Sequence, residues 1–391
     1  MFSLCFSLFL GRFYKYIDMR ITSNFDSGNI EVLSINDGDI KLNIPKDTNS
    51  DFFQWFHFRL TGAMNKDCRI SIVNAGESSY PDGWENYQCR ASYDRKEWFT
   101  VPTTFENGQL IMECNPAYNS MYFAYFAPFS YEQHMDMVNE AQQSAYCKLE
   151  VIGQTVEGKD IDMLVIGDPD EEKKKIWVIA RQHPGEAMAE WFVQGFLGRM
   201  IDDTDPVARR ILEDSVVYVI PNMNIDGSIA GNLRANAAGM NLNREWAESS
   251  EDKSPEVFYA LKKMDEVGVD LALDIHGDEA IPYNFVTTPE GIPSFDEYRK
   301  NMQDLFKNHW MEISPDFQDK HNYGVGTAPA NLGIGSKQIA ERYKCVAFTI
   351  EMPFKDNDDL PDPMYAWSDN RAVRFGESVL NPILHVLKHL R

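Results

Sequence analysis

Basic residues are in short supply in this sequence. Its 391 residues include 37 lysines and arginines against 60 aspartates and glutamates, which gives a formal net charge of −23. A basic surface attracts nucleic acid and anionic lipid, so this balance argues against binding to either. Cysteine is also sparse: the 6 cysteines are scattered, without a CxxC pair. We interpret them as reduced thiols and expect a cytoplasmic protein rather than a disulfide framework.

The sequence also lacks a convincing membrane span or secretory signal at its start. The apolar run from Phe2 to Leu10 is too short to cross a bilayer. It has neither a basic n-region nor a small-residue cleavage site. A strand-rich pattern begins only after Met19, with MRITSNFDSGNIEVL. We therefore predict that residues 1–18 are a leader that contributes nothing to the fold.

Internal repeats and low-complexity segments are absent as well, so the chain is expected to form ordinary globular domains. At 391 residues it exceeds one typical core, and 43% hydrophobic residues supply enough material for packed interiors. From about residue 21 to residue 127, short apolar or alternating runs such as IKLNI and RISIV are separated by turn residues such as Glu106-Asn107-Gly108. This pattern of short strands separated by turns predicts an antiparallel β-sandwich over residues 19–130.

The pattern changes after residue 130. Short apolar runs, KIWVIAR (175–181), VDLALDI (269–275) and CVAFTIE (345–351), alternate with helical segments. The clearest helical segments are AMAEWFVQGFLGRMI (187–201) and a closing stretch at 372–390. Strands that alternate with helices predict an α/β domain over residues 131–391, with a largely parallel sheet between helical layers.

Polar side chains follow the ends of these predicted strands. His183 and Glu186 come after the first run, His276 follows the second, and Glu351 ends the third. Sites in open α/β sheets form beyond the carboxyl ends of strands, so these side chains could converge. Two histidines and one carboxylate are a typical catalytic zinc set with a position left for water. Alone, His183-x-x-Glu186 is a weak signal, because a polar turn that opens a helix would look the same.

The stretch GNLRANAAGMNLNREW (231–246) supplies two guanidinium groups and an amide, from Arg234, Arg244 and Asn243. Arginine side chains bind carboxylates through two parallel hydrogen bonds, which suits recognition of a substrate carboxylate. Any one of these arginines could equally pair with one of the many acidic residues of the protein.

The order of these residues along the chain resembles that of the zinc metallocarboxypeptidases of the funnelin type. The segment VIGQTVEGKDIDMLVIG (151–167) is similar to the opening hairpin of that fold. The preceding sandwich and NSMYFAYFAPFSYE (119–132) resemble the cytosolic, or Nna-like, carboxypeptidase subfamily. FTIEMPFKD (348–356) resembles the bacterial members of that subfamily. The resemblance extends over about residues 20–390.

This resemblance implies a zinc-dependent enzyme that hydrolyses the C-terminal amino acid from peptides or proteins, with acidic terminal residues among the candidate substrates. It implies one zinc ion per chain. The implied roles are zinc ligation by His183, Glu186 and His276, general base catalysis by Glu351, stabilisation of the developing oxyanion by Arg234, and binding of the terminal carboxylate by Asn243 and Arg244.

The chain also departs from the family pattern. Asn241 stands where digestive members have an aspartate that orients a zinc-bound histidine, and its oxygen can accept the same hydrogen bond. The substrate-capping tyrosine could be Tyr323 or Tyr343. The cation in the pocket that receives the side chain of the last substrate residue could be Lys337 or Arg342.

Several alternatives stay open at the level of the sequence. Asp278 and Glu279, just after His276, either tune the site or form an exposed acidic turn. Zinc-dependent N-acyl amino-acid deacylases of the aspartoacylase and succinylglutamate desuccinylase type share the ligand order and also bind a carboxylate. A non-enzymatic binding protein is a further alternative, although a complete set of ligands and base argues against it.

Overall fold

The computed structural model of the protein describes residues 18–324 and 329–391. Of the predicted leader, residues 1–18, all but Asp18 lies outside these ranges, so its lack of a structural role stays a prediction. In the described ranges, no helix has the length and apolar character that crossing a membrane requires.

Two five-stranded sheets form the N-terminal part of the chain. In spatial order, the first contains β1 (Arg20–Thr22), β4 (His57–Thr61), β10 (Ser120–Ala124), β6 (Cys89–Ser92) and β7 (Phe99–Val101). The second contains β2 (Glu31–Asn36), β3 (Asp39–Asn43), β5 (Cys68–Ile72), β9 (Gln109–Cys114) and β8 (Thr103–Glu106).

The predicted antiparallel sandwich is confirmed, with one exception in its strand pairing. All pairs are antiparallel except β3 with β5, which run parallel. The chain leaves the second sheet between these two strands to form β4 in the first, and a crossover of this kind returns the chain in the same direction. Ile40 and Leu42 are buried while Lys41 between them is exposed, as the two-residue period of a strand requires.

A seven-stranded sheet forms the centre of the C-terminal part. In spatial order it contains β11 (Cys147–Gln154), β12 (Asp160–Ile166), β14 (Ser215–Ile220), β13 (Lys174–Ala180), β15 (Leu271–Asp278), β17 (Val346–Pro353) and β16 (Phe285–Thr287). The four strands β14, β13, β15 and β17 are parallel, and the outer pairs are antiparallel. The predicted mixed, largely parallel sheet is therefore confirmed.

Helices cover both faces of this sheet. They are α1 (Tyr131–Ala141), α2 (Met188–Met200), α3 (Pro206–Asp214), α4 (Ile225–Ala230), α5 (Pro255–Val267), α6 (Glu297–Ile313), α7 (Gly335–Tyr343), α8 (Asp369–Ser378) and α9 (Leu380–Leu387). Val178 shares a buried cluster with Phe192 of α2, whereas its neighbour Trp177 shares the opposite cluster with Val257 of α5 and Ile339 of α7. Successive strand residues point to opposite faces, so one apolar strand supplies both cores.

The closing helix predicted over residues 372–390 is instead two consecutive helices, α8 and α9, and the first begins three residues earlier, at Asp369. Pro382 has no backbone N–H to donate to the carbonyl of Ser378, so the helical hydrogen-bond ladder is interrupted at their junction. The predicted domain boundary falls at Ser130, which caps α1 by accepting a hydrogen bond from the backbone of Gln133. That residues 19–130 and 131–391 are separate domains stays a prediction.

Candidate active site

His183, Glu186 and His276 lie together at the carboxyl edge of the parallel strands. β13 ends at Ala180, and the turn that follows carries His183 and Glu186 before α2 begins at Met188. His276 lies near the end of β15, the neighbour of β13. All three side chains are buried, and among the described residues they form the one group of three histidine, cysteine or acidic side chains placed to hold a metal ion.

The separations between their donor atoms fit a metal ion. Nδ1 of His183 lies 2.7 Å from Oε1 of Glu186, and Nδ1 of His276 lies 2.8 Å from Oε2 of the same carboxylate. The two Nδ1 atoms are 3.2 Å apart. Two ligand atoms bound at about 2.0–2.1 Å in a tetrahedral zinc site lie roughly 3.3–3.4 Å from each other. Lone pairs at such separations repel unless a cation or proton lies between them, so this donor set fits zinc.

Each histidine has a partner on its other ring nitrogen, which orients the ring. Oδ1 of Asn241 lies 3.0 Å from Nε2 of His183, and Oδ1 of Asp274 lies 3.0 Å from Nε2 of His276. Outer partners of this kind fix the tautomer of a metal-binding histidine. Asp274 was missed in the sequence, although it stands two residues before His276 on one strand and so faces the same side.

A buried chain of hydrogen bonds holds Asp274 in turn. Nε2 of Gln182 lies 2.8 Å from each oxygen of Asp274, and the indole N–H of Trp246 donates to Oε1 of Gln182 at 2.8 Å. Asn224 donates to the backbone carbonyl of Gln182 at 2.9 Å. Asn224 therefore contacts the site only through Gln182. It does not line the cavity, although it follows a strand end as the other site residues do.

A second buried network holds the turn after β13. Arg181 has a left-handed backbone, with φ 55°, and its guanidinium donates to Glu190 at 2.5 Å and to the carbonyl of Pro184 at 3.0 Å. Nδ1 of His134 lies 2.7 Å from Glu190. Burial alone would lower the pKa of His134, but the hydrogen bond to Glu190 and the nearby carboxylate of Asp162, 3.6 Å from Nε2, outweigh it and raise the pKa to about 9. The sequence offered no spacing that pointed to this network.

Glu351 lies beside the candidate metal ligands, on the next strand. It pairs with His276 across β15 and β17, and it is 7% exposed. Its Oε2 atom has no hydrogen-bond partner among the described residues. Burial raises the pKa of Glu351 well above its ordinary value, and the charges of Glu186 and Asp278 raise it further. A buried carboxyl with a free oxygen and a raised pKa is suited to accept a proton.

These groups line a cavity of about 790 Å³, together with Arg234, Asn243, Arg244 and Lys337. Oδ1 of Asn243 accepts a hydrogen bond from the backbone N–H of Gly335 at 2.7 Å, which orients its amide. Burial lowers the pKa of Lys337, and repulsion from Arg244 lowers it further. Neither Lys337 nor Arg244 makes an ion pair with any described acidic residue.

Asp278 and Glu279 also line this cavity, and they are 7% and 6% exposed. The alternative of an exposed acidic turn is therefore wrong, because β15 continues through Asp278 and carries both residues into the site. Burial raises the pKa of Glu279 to about 8, although Arg234 opposes the shift.

The structure separates the alternatives for the tyrosine and the pocket cation. Tyr323 lines the cavity and donates a hydrogen bond to Asp278 at 2.5 Å. Tyr343 and Arg342 instead contact Asp265, and neither lines the cavity. Of the two pairs, Tyr323 and Lys337 are thus the members at the site.

Two family models match the chain, one in its N-terminal part and one in its longer C-terminal part. The family model described as the cytosolic carboxypeptidase N-terminal domain matches residues 21–126. The model described as zinc carboxypeptidase matches residues 131–366. An uncharacterized protein of Zymomonas mobilis is 42% identical over 95% of this chain and 97% of its own length. Cytosolic carboxypeptidase 3 of the mouse is 26% identical over 65% of this chain, which spans only 29% of that longer protein.

Solved structures of similar proteins extend over nearly the whole chain. A metallo-carboxypeptidase from Burkholderia cenocepacia has a TM-score of 0.92 and 44% identity, over 94% of this chain and 99% of its own. A metallo-carboxypeptidase from Pseudomonas aeruginosa, solved in complex with (2-guanidinoethylmercapto)succinic acid, has a TM-score of 0.92 and 42% identity, over 95% and 100% of the two chains.

Proposed function

This chain belongs to the zinc carboxypeptidase family, and on that premise we propose that it removes C-terminal amino acids, with a preference for acidic ones, through the residues of the cavity described above. The observation that carries the proposal is the convergence of a His-His-Glu donor set, a buried carboxyl and unpaired cations in one cavity. In this proposal His183, Glu186 and His276 hold one zinc ion. Bound there, zinc would supply a Lewis acid that lowers the pKa of water and polarises a carbonyl.

Glu351 acts as the general base in this mechanism. Its Oε2 atom, which has no hydrogen-bond partner among the described residues, allows it to take a proton from a water molecule that attacks the last peptide carbonyl. The same carboxyl then returns the proton to the nitrogen of the departing amino acid. Arg234, held in the cavity between Glu186 and Glu279, donates to the oxyanion that develops on the attacked carbonyl.

Arg244 and Asn243 bind the terminal carboxylate. A guanidinium and an amide can together donate several hydrogen bonds to one carboxylate, which places the last peptide bond beside Glu351. Tyr323 lies at the same cavity and is positioned to cover the bound end of the substrate.

The preference for an acidic last residue is supported by charge. Arg244 and Lys337 line the cavity without an ion pair to any described acidic residue, although acidic residues such as Asp278 and Glu279 line it too. A C-terminal glutamate or aspartate would supply two carboxylates, one for Arg244 and one for Lys337. A cytoplasmic location is part of this proposal, supported by the free thiols at Cys68, Cys89, Cys114, Cys147 and Cys345.

The direct test is a peptide library treated with the zinc-loaded enzyme and analysed by mass spectrometry for the C-terminal residues that disappear. Loss of terminal glutamate or aspartate is the expected result. Turnover of N-acylated amino acids without turnover of any peptide would instead identify a deacylase.

A further inference from the structure

A carboxylate from the N-terminal part of the chain accepts hydrogen bonds from the backbone that carries Arg234. Asp47 lies between β3 and β4 and is 4% exposed. One of its oxygens accepts from the backbone N–H of Leu233 at 2.7 Å, and the other accepts from Arg234 at 2.7 Å and from Ala235 at 3.0 Å. Three consecutive backbone donors thus converge on a single side chain 187 residues away from Arg234 in the sequence.

The neighbours of Asp47 hold the rest of this loop, which we call the Arg234 loop (residues 231–239). The backbone and hydroxyl of Thr48 donate to Asn232 at 3.0 and 3.1 Å, and the amide of Asn49 donates to the carbonyl of Ala237 at 2.9 Å. At Gly239, whose φ is +84°, an added Cβ would lie 2.2 Å from the carbonyl oxygen of Asn49. The two segments are therefore in tight contact along the loop.

The same loop is connected to the metal-binding turn. The carbonyl of Leu233 accepts a hydrogen bond from the N–H of Gly185, between His183 and Glu186, at 2.9 Å. The Arg234 loop contains no helix or strand of its own, so its conformation depends on contacts of this kind. An unsupported loop would sample many conformations, and ordering it during the reaction would cost entropy.

The side chain of Arg234 is also held from the N-terminal part. The guanidinium carbon lies 5.0 Å from the centre of the Tyr80 ring, and the backbone of Tyr80 is fixed by Oε1 of Gln54 at 2.8 Å. The nearest acidic atoms, on Glu186 and Glu279, lie at 3.8 and 4.0 Å, beyond hydrogen-bond distance. No described hydrogen bond fixes the guanidinium, so the direction in which Arg234 points depends on the Tyr80 ring together with these two ion pairs.

We propose that Asp47 and Tyr80 are positioning residues for Arg234, and that the segments connecting the strands of the N-terminal part are thereby part of the active site. Asp47 sets the path of the loop, and Tyr80 sets the orientation of the guanidinium. A donor that faces the oxyanion stabilises the transition state only if it is oriented before the reaction begins. This inference rests on the role proposed above for Arg234.

A double-mutant cycle in the full-length zinc-loaded enzyme tests this inference. Asp47→Ala is expected to lower kcat about 10- to 100-fold with little change in KM, because a displacement of about 1 Å at a catalytic group can cost about 100-fold. In an Arg234→Ala background, the same substitution should change kcat by less than about threefold, since residues that act through one another are not additive. Losses that multiply would overturn the proposal. Asp47→Asn keeps one accepting oxygen and should lie between wild type and Asp47→Ala.

A second test substitutes Tyr80 and leaves the buried carboxylate of Asp47 unchanged. Tyr80→Leu removes the ring and should reduce kcat more than Tyr80→Phe, which keeps it, and the difference should disappear in the Arg234→Ala background. A matched control is Ile70→Ala, which removes buried apolar surface in β5 without touching the Arg234 loop. It should lower Tm but leave kcat unchanged well below Tm. If Ile70→Ala loses as much kcat as Asp47→Ala, the effect of Asp47 is one of general stability, which would contradict the proposal.

The cycle also separates this inference from the function on which it rests. If Arg234→Ala alone retains kcat, the assigned role of Arg234 is wrong and this inference falls with it. If Arg234→Ala is impaired and Asp47→Ala multiplies the loss, only the positioning role is wrong. Zinc content should equal that of the wild type in every variant, since neither Asp47 nor Tyr80 belongs to the donor set.

Discussion

Oδ1 of Asn241 accepts a hydrogen bond from the ring of His183, at 3.0 Å from Nε2. The same oxygen accepts from the backbone N–H of Asn243 at 3.1 Å, which identifies it as the acceptor. Nε2 of His183 must therefore carry the proton, and Nδ1 presents its lone pair to the space that it shares with Glu186 and His276. The uncharged amide of Asn241 thus orients the ring of His183, at a position where the family pattern has an aspartate.

We expect Asn241→Ala to weaken zinc binding, because loss of such an outer partner typically costs about 10- to 100-fold in metal affinity. Competition with a chromogenic chelator measures the affinity. Asn284→Ala, at a buried asparagine that does not line the cavity, is the matched control. Unchanged affinity in Asn241→Ala would show that the hydrogen bond does not matter for the metal.

His276→Ala should lose stoichiometric zinc, since two ligands rarely retain a catalytic zinc ion against competitors. Metal analysis of the purified protein gives the stoichiometry. The fold should largely survive, because the seven-stranded sheet has buried clusters on both faces. His309→Ala, at a surface histidine stacked on His385, should keep full zinc. Equal zinc in the two variants would exclude His276 as a ligand.

Glu351→Gln should lower kcat by about 10²- to 10⁴-fold, because it keeps the shape of the side chain but removes the proton acceptor. Its effect should lie at the upper end, since the same carboxyl also delivers the proton to the leaving nitrogen. Zinc content and peptide binding should be nearly normal. A near-normal kcat with full zinc would eliminate the proposed mechanism.

Arg244→Ala and Lys337→Ala should affect different substrates. Losing Arg244 should raise KM for peptides with a free terminal carboxylate far more than it weakens binding of amidated ones, at a cost of roughly 2–5 kcal/mol. Losing Lys337 should raise KM for peptides that end in glutamate but not for those that end in alanine. If Lys337→Ala changes KM equally for peptides that end in glutamate and in alanine, Lys337 does not recognise the side chain of the last residue.

His134 should make stability depend on pH. Its pKa is raised from 6.5 to about 9 in the folded protein, so the stabilisation is fully present below pH 6.5 and is lost as the pH rises through about 9. The limit is about 3 kcal/mol at about 1.4 kcal/mol for each pKa unit. The free energy of unfolding of wild type and His134→Gln, measured in urea from pH 6 to 10, should differ most at the acidic end. A difference that does not vary with pH would show that His134 is not charged in the folded state.

The convergence of the candidate site residues could largely be predicted from the sequence, whereas their chemical roles stay a proposal. His183, Glu186, His276 and Glu351 each follow or end an apolar run, and the carboxyl ends of parallel strands meet at one edge of a sheet. Strand and helix periodicities are local properties, so they predicted the sandwich, the largely parallel sheet and several helices. Local patterns also have limits, as the division of the predicted closing helix at Val379 shows.

Only the tertiary structure decided which side chains from distant loops join the site. Tyr323 rather than Tyr343, Lys337 rather than Arg342, and the burial of Glu279 all depend on how loops cross the edge of the sheet, and loops have no period from which to infer it. The hydrogen bonds that Asp47 accepts from the Arg234 loop join residues nearly half the chain apart. Contacts of that kind arise from the packing of one part of the chain on another, and a single sequence contains no spacing that records them.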